Sequence, residues 1–566
     1  MPCREQFESE DYAELITGGQ GIGLEPSDEY CFININERFG VLSLPHTSIS
    51  SDEGLLYVYG YLPRVFGLMA EDFSAVSLGS TGILQTQGPP LSLNGRGVVL
   101  AFIDTGIRFA QEEFLNAAGN TRILALWDQN LTTGEPPEGY RYGALFTRED
   151  INQALRAENP YEALPSYDEI GHGTEIASVA AGSVINGGRD FRGAAPEADI
   201  VVVKLRQAKK NLRDFYLLPE GVPAYAESDI MLGVKFAESF AVTFGRPVVI
   251  CLGIGSNQGN HTIGSALARY LNDMANIRNR GIVICGGNEG NAGHHFNAPI
   301  PSESAETGDA YTDVEIRVGE GERGFLLELW GSGPDVLAVS LRTPGGESIP
   351  RFRLVTGQSQ TFTFVYERAR VTIDSVLVEP GSGDELIAFR FADPTPGVWT
   401  VRVYAAESGG SGRFHMWLPI TRFLSSETYF LNASPYVTLT DPGIAENPIT
   451  VSAYNDQNNS FYVNSGRGFL SNGLIKPDFA APGVDVSTAL GRRTGTSLSA
   501  ALTAGGVAQF FQWAVVQRNY PLVQNQAVKG YFIRGAARSS ELVYPNREWG
   551  YGRLDVRGVF DTLAGV

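Results

Sequence analysis

The chain has 566 residues, of which 43% are hydrophobic and 19% are charged, as expected for a globular protein of two or three domains. Its 63 acidic and 43 basic side chains give a net charge of −20, which argues against a nucleic-acid partner because phosphates attract clustered cations. No apolar run approaches the roughly 20 residues of a membrane helix, and the acidic start MPCREQFESEDYAEL lacks the basic and apolar parts of a signal peptide.

Residues 1–75 contain two short runs that are typical of β-strands, YCFININ and LLYVYGYL, separated by turn residues. These runs predict a small α+β unit in front of the main domain. The four cysteines of the chain are too few and too scattered for a disulfide framework or a zinc site. We therefore expect free, buried thiols at Cys3, Cys31, Cys251 and Cys285.

An α/β pattern begins at Gly95 with GVVLAFIDTG, a continuous apolar run typical of a strand that is buried on both faces of a parallel sheet. Similar runs follow in ADIVVVKL, RPVVICLGIG and RGIVICGGN, with helical stretches between them. This alternation predicts an α/β domain with a doubly wound parallel sheet over residues 76–296, which resumes over residues 447–566.

The α/β rhythm stops over residues 297–446. Alternating runs such as TDVEIRV and VWTVRVY are separated by turn signals such as PGG and PTPG. Alternation with frequent turns predicts an all-β sandwich that is inserted into the α/β domain.

Three polar residues stand where strands end or helices begin, which is where parallel sheets carry their catalytic groups. Asp104 closes VVLAFIDTG, His172 lies in GHGTEIAS and Ser497 lies in GTSLSAALTAG. A hydroxyl is a weak nucleophile unless an imidazole takes its proton, and a buried carboxylate orients that imidazole. Each residue alone also fits an ordinary role, as a turn former, a core histidine or a helix N-cap. Together they predict a Ser–His–Asp triad.

A fourth feature concerns the negative charge that develops on an attacked carbonyl. Asn288 follows the apolar strand in GIVICGGNEGN and carries an amide donor, while the backbone N–H of Ser497 at a helix start is a second donor. The two predict an oxyanion hole. Asn288 also fits a plain loop position between glycines.

The blocks AFIDTGI, GHGTEIAS, GGNEGN and GTSLSAALTAG, with KPDFAAPG before the last, resemble the signature blocks of subtilisin-like serine proteases. The phrases RILALWDQN, LTAGGVAQFFQWAV and NREWGYGRLDV are similar to the clostridial Csp germination proteases. That subgroup has an N-terminal prodomain and an inserted β jelly roll. The resemblance implies a subtilisin-like fold, with a prodomain over residues 1–75 and a jelly roll over residues 297–446.

The resemblance also implies a role for each predicted site residue: Ser497 is the nucleophile, His172 the general base and Asp104 the orienting acid, with Asn288 and the Ser497 N–H in the oxyanion hole. A peptide substrate adds as a strand between two sheet edges. Two strand ends are expected to line the mouth of the pocket for the residue before the cut: Cys251, Leu252, Gly253, Cys285, Gly286 and Gly287. The far edge of the cleft is expected at Lys204, Leu205 and Arg206.

These features predict a subtilisin-type serine endopeptidase that acts on protein or peptide substrates and keeps its own prodomain as a bound inhibitor. By analogy with the family that the chain resembles, self-cleavage is expected near residues 74–77. No cofactor is expected. Subtilisin relatives often carry structural calcium, but no Asp-rich loop spacing predicts a metal site here.

The Csp resemblance implies limited proteolysis in the spore or cytoplasm of a Gram-positive, clostridial bacterium, with a cortex-hydrolase zymogen as substrate at germination. Two alternatives stay open, a housekeeping intracellular subtilase and a sensor or binding protein on a protease scaffold. An esterase of the α/β-hydrolase class is disfavoured, because that class uses Gly-x-Ser-x-Gly and the chain order Ser, acid, His.

Overall fold

The computed structural model describes residues 2–18, 30–48, 60–69, 71–72, 78–183, 192–300, 310–353, 358–407 and 412–565. Among these residues, no helix is both long and apolar enough to cross a membrane.

The first part of the chain folds into a helix and a three-stranded antiparallel sheet, which we call the N-terminal unit. Its elements are α1 (Cys3–Glu8), β1 (Tyr12–Gly18), β2 (Cys31–Asn34) and β3 (Phe39–Pro45). The strands pair in the order β1-β3-β2. Their buried side chains, such as Ile33 and Val41, join the same hydrophobic core as Ile230 and Phe236 of the α/β part. The unit therefore docks onto the α/β part through apolar contacts.

The prediction of four free thiols is wrong for two of the cysteines. Cys3 in α1 and Cys31 in β2 form a disulfide whose Cα atoms are 5.4 Å apart. The 28-residue separation gave no sequence signal, because the α1–β2 contact that brings the two thiols together forms only in the folded unit. Cys251 and Cys285 are free and buried, as predicted. Burial raises the pKa of Cys285 to about 12 and also raises that of Cys251, so both thiols stay protonated.

The α/β part begins with two short strands and then alternates strands with helices. Its first elements are β4 (Val65–Leu68), β5 (Glu71–Asp72), α2 (Ile83–Gln87), β6 (Val99–Asp104), β7 (Ile123–Asp128), β8 (Ala144–Thr147), α3 (Arg148–Ala154), α4 (Pro160–Ala163) and α5 (His172–Ala181). The next are β9 (Asp199–Lys204), α6 (Lys210–Phe215), β10 (Tyr225–Ala226), α7 (Glu227–Phe244), β11 (Val248–Leu252), β12 (Ile254–Gly255), α8 (Ala266–Ala275) and β13 (Arg280–Cys285).

The inserted region is built from strands, as predicted. They are β14 (His295–Pro299), β15 (Tyr311–Val318), β16 (Gly324–Gly331), β17 (Val336–Arg342), β18 (Ser348–Phe352), β19 (Ser359–Thr363), β20 (Arg370–Val376), β21 (Glu385–Ala392), β22 (Gly397–Glu407), β23 (Arg413–Trp417) and β24 (Tyr429–Phe430). They form two antiparallel sheets, β14-β23-β16-β21-β20-β19 and β18-β17-β22-β15-β24. Side chains from both sheets, such as Ile316 and Phe389, share one core. Between β23 and β24 the chain makes one 3₁₀ turn, Thr421–Phe423.

The last part of the chain returns to the α/β pattern. Its elements are β25 (Ile449–Asn455), β26 (Ser460–Phe461), β27 (Phe479–Pro482), β28 (Val486–Thr488), β29 (Gly491–Thr494), α9 (Thr496–Phe511), α10 (Asn525–Gly535) and α11 (Val556–Ala564). Every residue of α9 is buried, which explains why this helix has small side chains and no charge. A Cβ on Gly505 would lie 2.9 Å from the Ala180 carbonyl oxygen, so α9 needs glycine where it approaches α5.

A nine-stranded sheet runs through the centre of the α/β part in the order β26-β25-β13-β11-β6-β9-β7-β8, with β27 also paired to β25. The pairs from β25 to β7 are parallel. This confirms the predicted α/β fold with a doubly wound parallel sheet. Because parallel strands end at the same edge, the carboxyl ends of β6, β11 and β13 lie side by side. Asp104, Gly253 and Asn288 stand at or just beyond those ends.

Candidate active site

The three residues predicted to form a triad meet at the carboxyl edge of the central sheet. Asp104 is the last residue of β6, His172 is the first residue of α5 and Ser497 is the second residue of α9. All three are buried. Gly171, with φ of 93°, turns the chain into α5 in a conformation that favours glycine.

The side chains of the three residues form one hydrogen-bonded path. His172 Nδ1 lies 2.7 Å from Asp104 Oδ1, and His172 Nε2 lies 3.2 Å from Ser497 Oγ. An ionised carboxylate only accepts, so Nδ1 carries the proton and Nε2 is left to accept from the hydroxyl. Asp104 Oδ1 also accepts from the Thr105 backbone N–H at 2.8 Å, which fixes the carboxylate. This arrangement can move the Ser497 proton onto His172.

The pKa of His172 is raised above its ordinary value of 6.5. Burial alone would lower this pKa, but the charge of Asp104 and its hydrogen bond outweigh burial, and Glu175 and Asp168 add to the effect. The imidazolium that forms when His172 takes a proton is therefore stabilised.

Asp168 positions His172 from outside the triad. Its Oδ1 accepts from the Gly171 N–H at 2.7 Å, and its Oδ2 accepts from the Thr174 N–H at 2.9 Å and the Thr174 hydroxyl at 2.7 Å. The carboxylate thus caps the start of α5 and fixes the first turn, on which His172 stands. The sequence analysis missed this residue. An aspartate placed four residues before His172, ahead of a small-residue helix, is the signal that could have identified it.

Asn288 lies beside Ser497 with its amide oriented by Thr496. Asn288 Oδ1 accepts from the Thr496 N–H at 3.1 Å and from the Thr496 hydroxyl at 3.0 Å. Because the oxygen accepts both bonds, the NH₂ group is directed away from Thr496. None of the described residues accepts a hydrogen bond from that NH₂ group. It is therefore free to donate to a substrate oxygen.

A segment of the chain itself occupies the cleft beside these residues. Strand β4 and Met69, which we call the cleft strand, lie antiparallel between β12 and β10. Leu68 pairs with Ile254 on one side, and Phe66 pairs with Tyr225 on the other. Met69 N–H donates to Gly253 O at 3.1 Å. The segment has the geometry of a peptide substrate that adds a strand to two edges.

The carbonyl of Met69 points at the predicted oxyanion hole. Met69 O accepts from the Ser497 backbone N–H at 3.4 Å. A Cβ on Gly253 would lie 2.9 Å from His172 Cε1 and 3.1 Å from Ser497 Cβ, so glycine at this position leaves room for the triad side chains. The chain continues as β5, which pairs with β29 just before Ser497. Residues 74–77, where the sequence predicted self-cleavage, lie outside the described residues.

The predicted far edge of the cleft is corrected by the structure. Strand β10 pairs with the cleft strand on that side. The three residues predicted for this edge, Lys204, Leu205 and Arg206, lie elsewhere. Lys204 Nζ donates to Tyr167 O and Glu169, and Leu205 is buried. Arg206 is buried against the N-terminal unit, where it binds Glu14. The prediction failed because a two-residue strand such as β10 leaves no periodic signal in the sequence.

The six residues predicted to line the pocket mouth stand at the ends of β11 and β13. Gly253 contacts the cleft strand directly through its carbonyl oxygen. Cys251, Leu252 and Cys285 are buried. A Cβ on Gly286 would lie 2.8 Å from the Val451 carbonyl oxygen, and Gly287 has φ of 88°. Its N–H donates to the Thr496 hydroxyl at 3.1 Å. Among the described residues, no group of three or more His, Cys, Asp or Glu side chains is arranged to hold a metal ion.

Comparisons with known proteins agree with this geometry. The sequence model of the subtilase family matches residues 95–341 and 431–552. The subtilisin-like protease SBT3.5 of Arabidopsis thaliana is 23% identical over an alignment that covers 86% of this chain and 68% of the relative. The structure of the Clostridium perfringens CspB protease is 27% identical, with a TM-score of 0.74, and the match covers 86% of this chain and 99% of that chain.

The family model thus covers more than half of the chain and includes all four predicted site residues. The similarity to CspB confirms the resemblance to the clostridial Csp proteases that the sequence phrases indicated. We conclude that this chain belongs to the subtilase family and is a subtilisin-like serine protease.

Proposed function

We propose that this chain is a serine endopeptidase in which Ser497 is the nucleophile. Ser497 Oγ attacks the carbonyl carbon of a peptide bond while His172 Nε2 takes the hydroxyl proton, and Asp104 stabilises the imidazolium. The C–N bond then breaks and His172 gives the proton to the departing amine. In the second half of the reaction His172 takes a proton from water while the water oxygen attacks the acyl carbon. The bond from that carbon to Ser497 Oγ then breaks, and His172 returns the proton to Oγ. The Ser497 N–H and the Asn288 amide stabilise the oxyanion in both halves.

One observation carries this proposal. A continuous path of 2.7 Å and 3.2 Å contacts links Asp104, His172 and Ser497, next to a peptide carbonyl that accepts from the Ser497 N–H. A sensor or binding protein on the same scaffold would not need a buried carboxylate–imidazole pair aligned on a hydroxyl.

A serine-directed fluorophosphonate probe tests the proposal, because only an activated hydroxyl reacts with it. The cleft strand shields Ser497, so the probe is applied to the wild type and to a Glu14→Ala chain in which docking of the N-terminal unit is weakened. Ser497 should be labelled in both chains, faster in Glu14→Ala, and His172→Ala should not be labelled. An unlabelled Ser497 in both chains would favour the binding-protein alternative.

We further propose that the enzyme cuts its own chain between Met69 and Ala70, so that the N-terminal unit is a prodomain. The support is the position of the Met69 carbonyl at Ser497 and the continuation of the chain into β5 on the other side. After the cut, the carboxyl end of the cleft strand is a reaction product that still fits the cleft. The prodomain is thus expected to act as a bound inhibitor.

We propose that the natural reaction is limited proteolysis at spore germination, with a cortex-hydrolase zymogen as substrate. Similarity to the CspB protease of a Clostridium supports this proposal, as does a cleft that its own segment occupies. The enzyme is incubated with such a zymogen and with unfolded casein. Cleavage of the zymogen at one site with little loss of casein supports the spore role. Rapid casein digestion with an intact zymogen would favour a housekeeping subtilase.

A further inference from the structure

The cleft strand is enclosed on more sides than two paired edges require. Residues 65–69 are all buried. Besides β12 and β10, side chains from the end of the inserted region lie over the strand at Gly67. A Cβ on Gly67 would lie 2.5 Å from Ile420 Cδ1 and 3.3 Å from two ring carbons of Phe423. We call Ile420 and Phe423 the cover.

The cover is fixed by polar contacts to the loop that carries Asn288. The Glu289 carboxylate accepts from the Thr421 N–H at 3.1 Å and from the Thr421 hydroxyl at 3.0 Å. The same carboxylate lies 2.8 Å from His294 Nδ1. Thr421, which directly follows Ile420, is therefore bonded to Glu289, the neighbour of the oxyanion donor Asn288, and the cover cannot move away without breaking these bonds.

The cover also has little freedom of its own. Ile420 and Phe423 are 1% and 2% exposed and belong to the same core as Val65 and Met69. The Ile420 methyl is the end of a flexible side chain, so a small rotation could admit one extra methyl group at position 67. A branched or longer side chain would have to displace the Phe423 ring from a packed core, which is destabilising.

We propose that the cover determines substrate specificity. It admits only glycine or alanine at the position of Gly67, which lies two residues before the residue whose carbonyl is attacked. This inference rests on the proposed protease function and names the substrate class of that same site. The preferred substrate is an extended segment with an apolar side chain on each side of that small residue, as Phe66 and Leu68 are here. At Met69 the fit is also close, because a Cβ on Gly255 would lie 2.9 Å from Met69 Cε.

Self-cleavage of four purified variants, each compared with the wild type, tests the cover. Gly67→Leu should slow the cut by about fivefold to 150-fold, the rate equivalent of a 1–3 kcal/mol overpacking penalty. Gly67→Ala should cut near the wild-type rate. Gly60→Leu is the matched control, because a Cβ on Gly60 meets no atom within 4 Å, and it should cut like the wild type. Adding Ile420→Ala and Phe423→Ala to Gly67→Leu should restore most of the rate.

If Gly67→Leu cut itself at the wild-type rate, the proposal about the cover would be overturned. The same holds if Gly67→Leu cut slowly and the Ile420→Ala and Phe423→Ala substitutions did not restore its rate. Melting of the same variants in a Ser497→Ala background separates this claim from catalysis. In that background Gly67→Leu should have a lower melting temperature than Gly60→Leu. Adding Ile420→Ala and Phe423→Ala to Gly67→Leu should reduce this difference in melting temperature. Equal melting temperatures of Gly67→Leu and Gly60→Leu would overturn the proposal about the cover, even in a chain that never cuts itself. A wild type that stays whole would contradict the proposed self-cleavage alone, because the melting comparison does not depend on a cut.

Discussion

Asp104 controls the charge of His172, and this sets the pH dependence of the proposed reaction. Because the pKa of His172 is raised, the imidazole becomes protonated already above pH 6.5 as the pH falls. A protonated His172 cannot accept the Ser497 proton, so we expect cleavage to be lost with an apparent pKa above 6.5. The measurement is the pH profile of peptide cleavage by the processed enzyme.

Glu175→Gln is the matched variant for this profile. The Glu175 carboxylate raises the pKa of His172 through its charge and not through a hydrogen bond to the imidazole, and this substitution removes that charge. The acid limb should move to lower pH while the rate at high pH changes little. An acid limb that moves to higher pH in Glu175→Gln would contradict the assignment of His172 as the base, whereas a wild-type limb below pH 6.5 would show that the Asp104 charge does not outweigh burial at His172.

Asn288 gives a second prediction for a single residue. Asn288→Ala should lower kcat by about 10²–10³ with little change in KM, because one oxyanion donor contributes mainly in the transition state. Thr496→Val removes the hydroxyl that holds Asn288 Oδ1 but keeps the backbone N–H bond to the same oxygen. We expect it to lower kcat by less. A loss below tenfold in Asn288→Ala would remove this amide from the mechanism.

The sequence predicted Asp104, His172, Asn288 and Ser497, because each stands in a glycine-rich block at a strand end or helix start. Residues that act through tertiary contacts were not predicted. Glu14 is far from the blocks in the sequence, and its burial against the α/β part could not be read from YAELITG. The role of such a residue depends on the residues it contacts, and these are distant in the sequence, so the role can be recognised only from the folded structure.

At the scale of elements, three buried histidines join the insert to the α/β part. His261 follows β12, His295 begins β14 and His415 lies in β23. Their rings stack on Trp417 with centroids 4.3, 4.8 and 5.2 Å away, in that order, and His295 Nε2 lies 2.9 Å from His415 Nδ1. The stack fills the seam between the two parts with aromatic rings.

This stack should make stability depend on pH. The pKa of His261 and that of His415 are both lowered to about 4, chiefly by burial, and for His415 the charges of His261 and Arg413 contribute to this lowering. In the unfolded chain both pKa values lie near 6.5, so the unfolded state binds more protons between pH 6.5 and 4. The free energy of unfolding should therefore decrease as the pH is lowered from 6.5 to 4, by up to about 1.4 kcal/mol per pH unit for each histidine.

Urea unfolding at several pH values measures this slope. His415→Phe keeps an aromatic ring in the stack but removes one titrating group, so its stability should fall less steeply than that of the wild type between pH 6.5 and 4. An equal slope in the two proteins would mean that His415 is not held neutral in the folded state.

The long elements were predictable because each has its own pattern. Continuous apolar runs indicated the parallel strands, and alternation with turns indicated the all-β insert. The elements that shape the cleft are β10, β12 and the Thr421–Phe423 turn, each of two or three residues. Such short pieces are fixed by the segments beside them, so the cleft strand and the cover could not be predicted from local sequence.

For the whole molecule, a buried ionic cluster holds the N-terminal unit on the α/β part. Glu14 Oε1 lies 2.5 Å from Arg206 Nη2 and 3.1 Å from Lys209 Nζ. Burial alone would raise the pKa of Glu14, but the two cations outweigh burial and lower it, so Glu14 is ionised. Lys209 also donates to Tyr12 O at 3.1 Å. The cluster therefore adds directional bonds to the apolar interface.

Glu14→Ala should release the N-terminal unit after the cut. The substitution leaves two buried cations without this carboxylate, a loss of about 3–5 kcal/mol for a broken buried pair. Size-exclusion chromatography of the processed protein should show the two fragments together in the wild type and separated in Glu14→Ala. Glu10→Ala is the control, because Glu10 is exposed and, among the described residues, only accepts from the Lys210 N–H. Equal retention in all three proteins would mean that apolar contacts alone hold the unit.

Intact-mass spectrometry of the denatured wild type and Ser497→Ala most directly tests whether Ser497 cuts the bond after Met69. The wild type should give two masses that sum to the 61.2 kDa chain plus one water, with one fragment ending at Met69 and the other beginning at Ala70. Ser497→Ala should give one mass of 61.2 kDa. A wild-type chain that stays whole, a cut at another bond, or the same cut in Ser497→Ala would contradict the proposed self-cleavage.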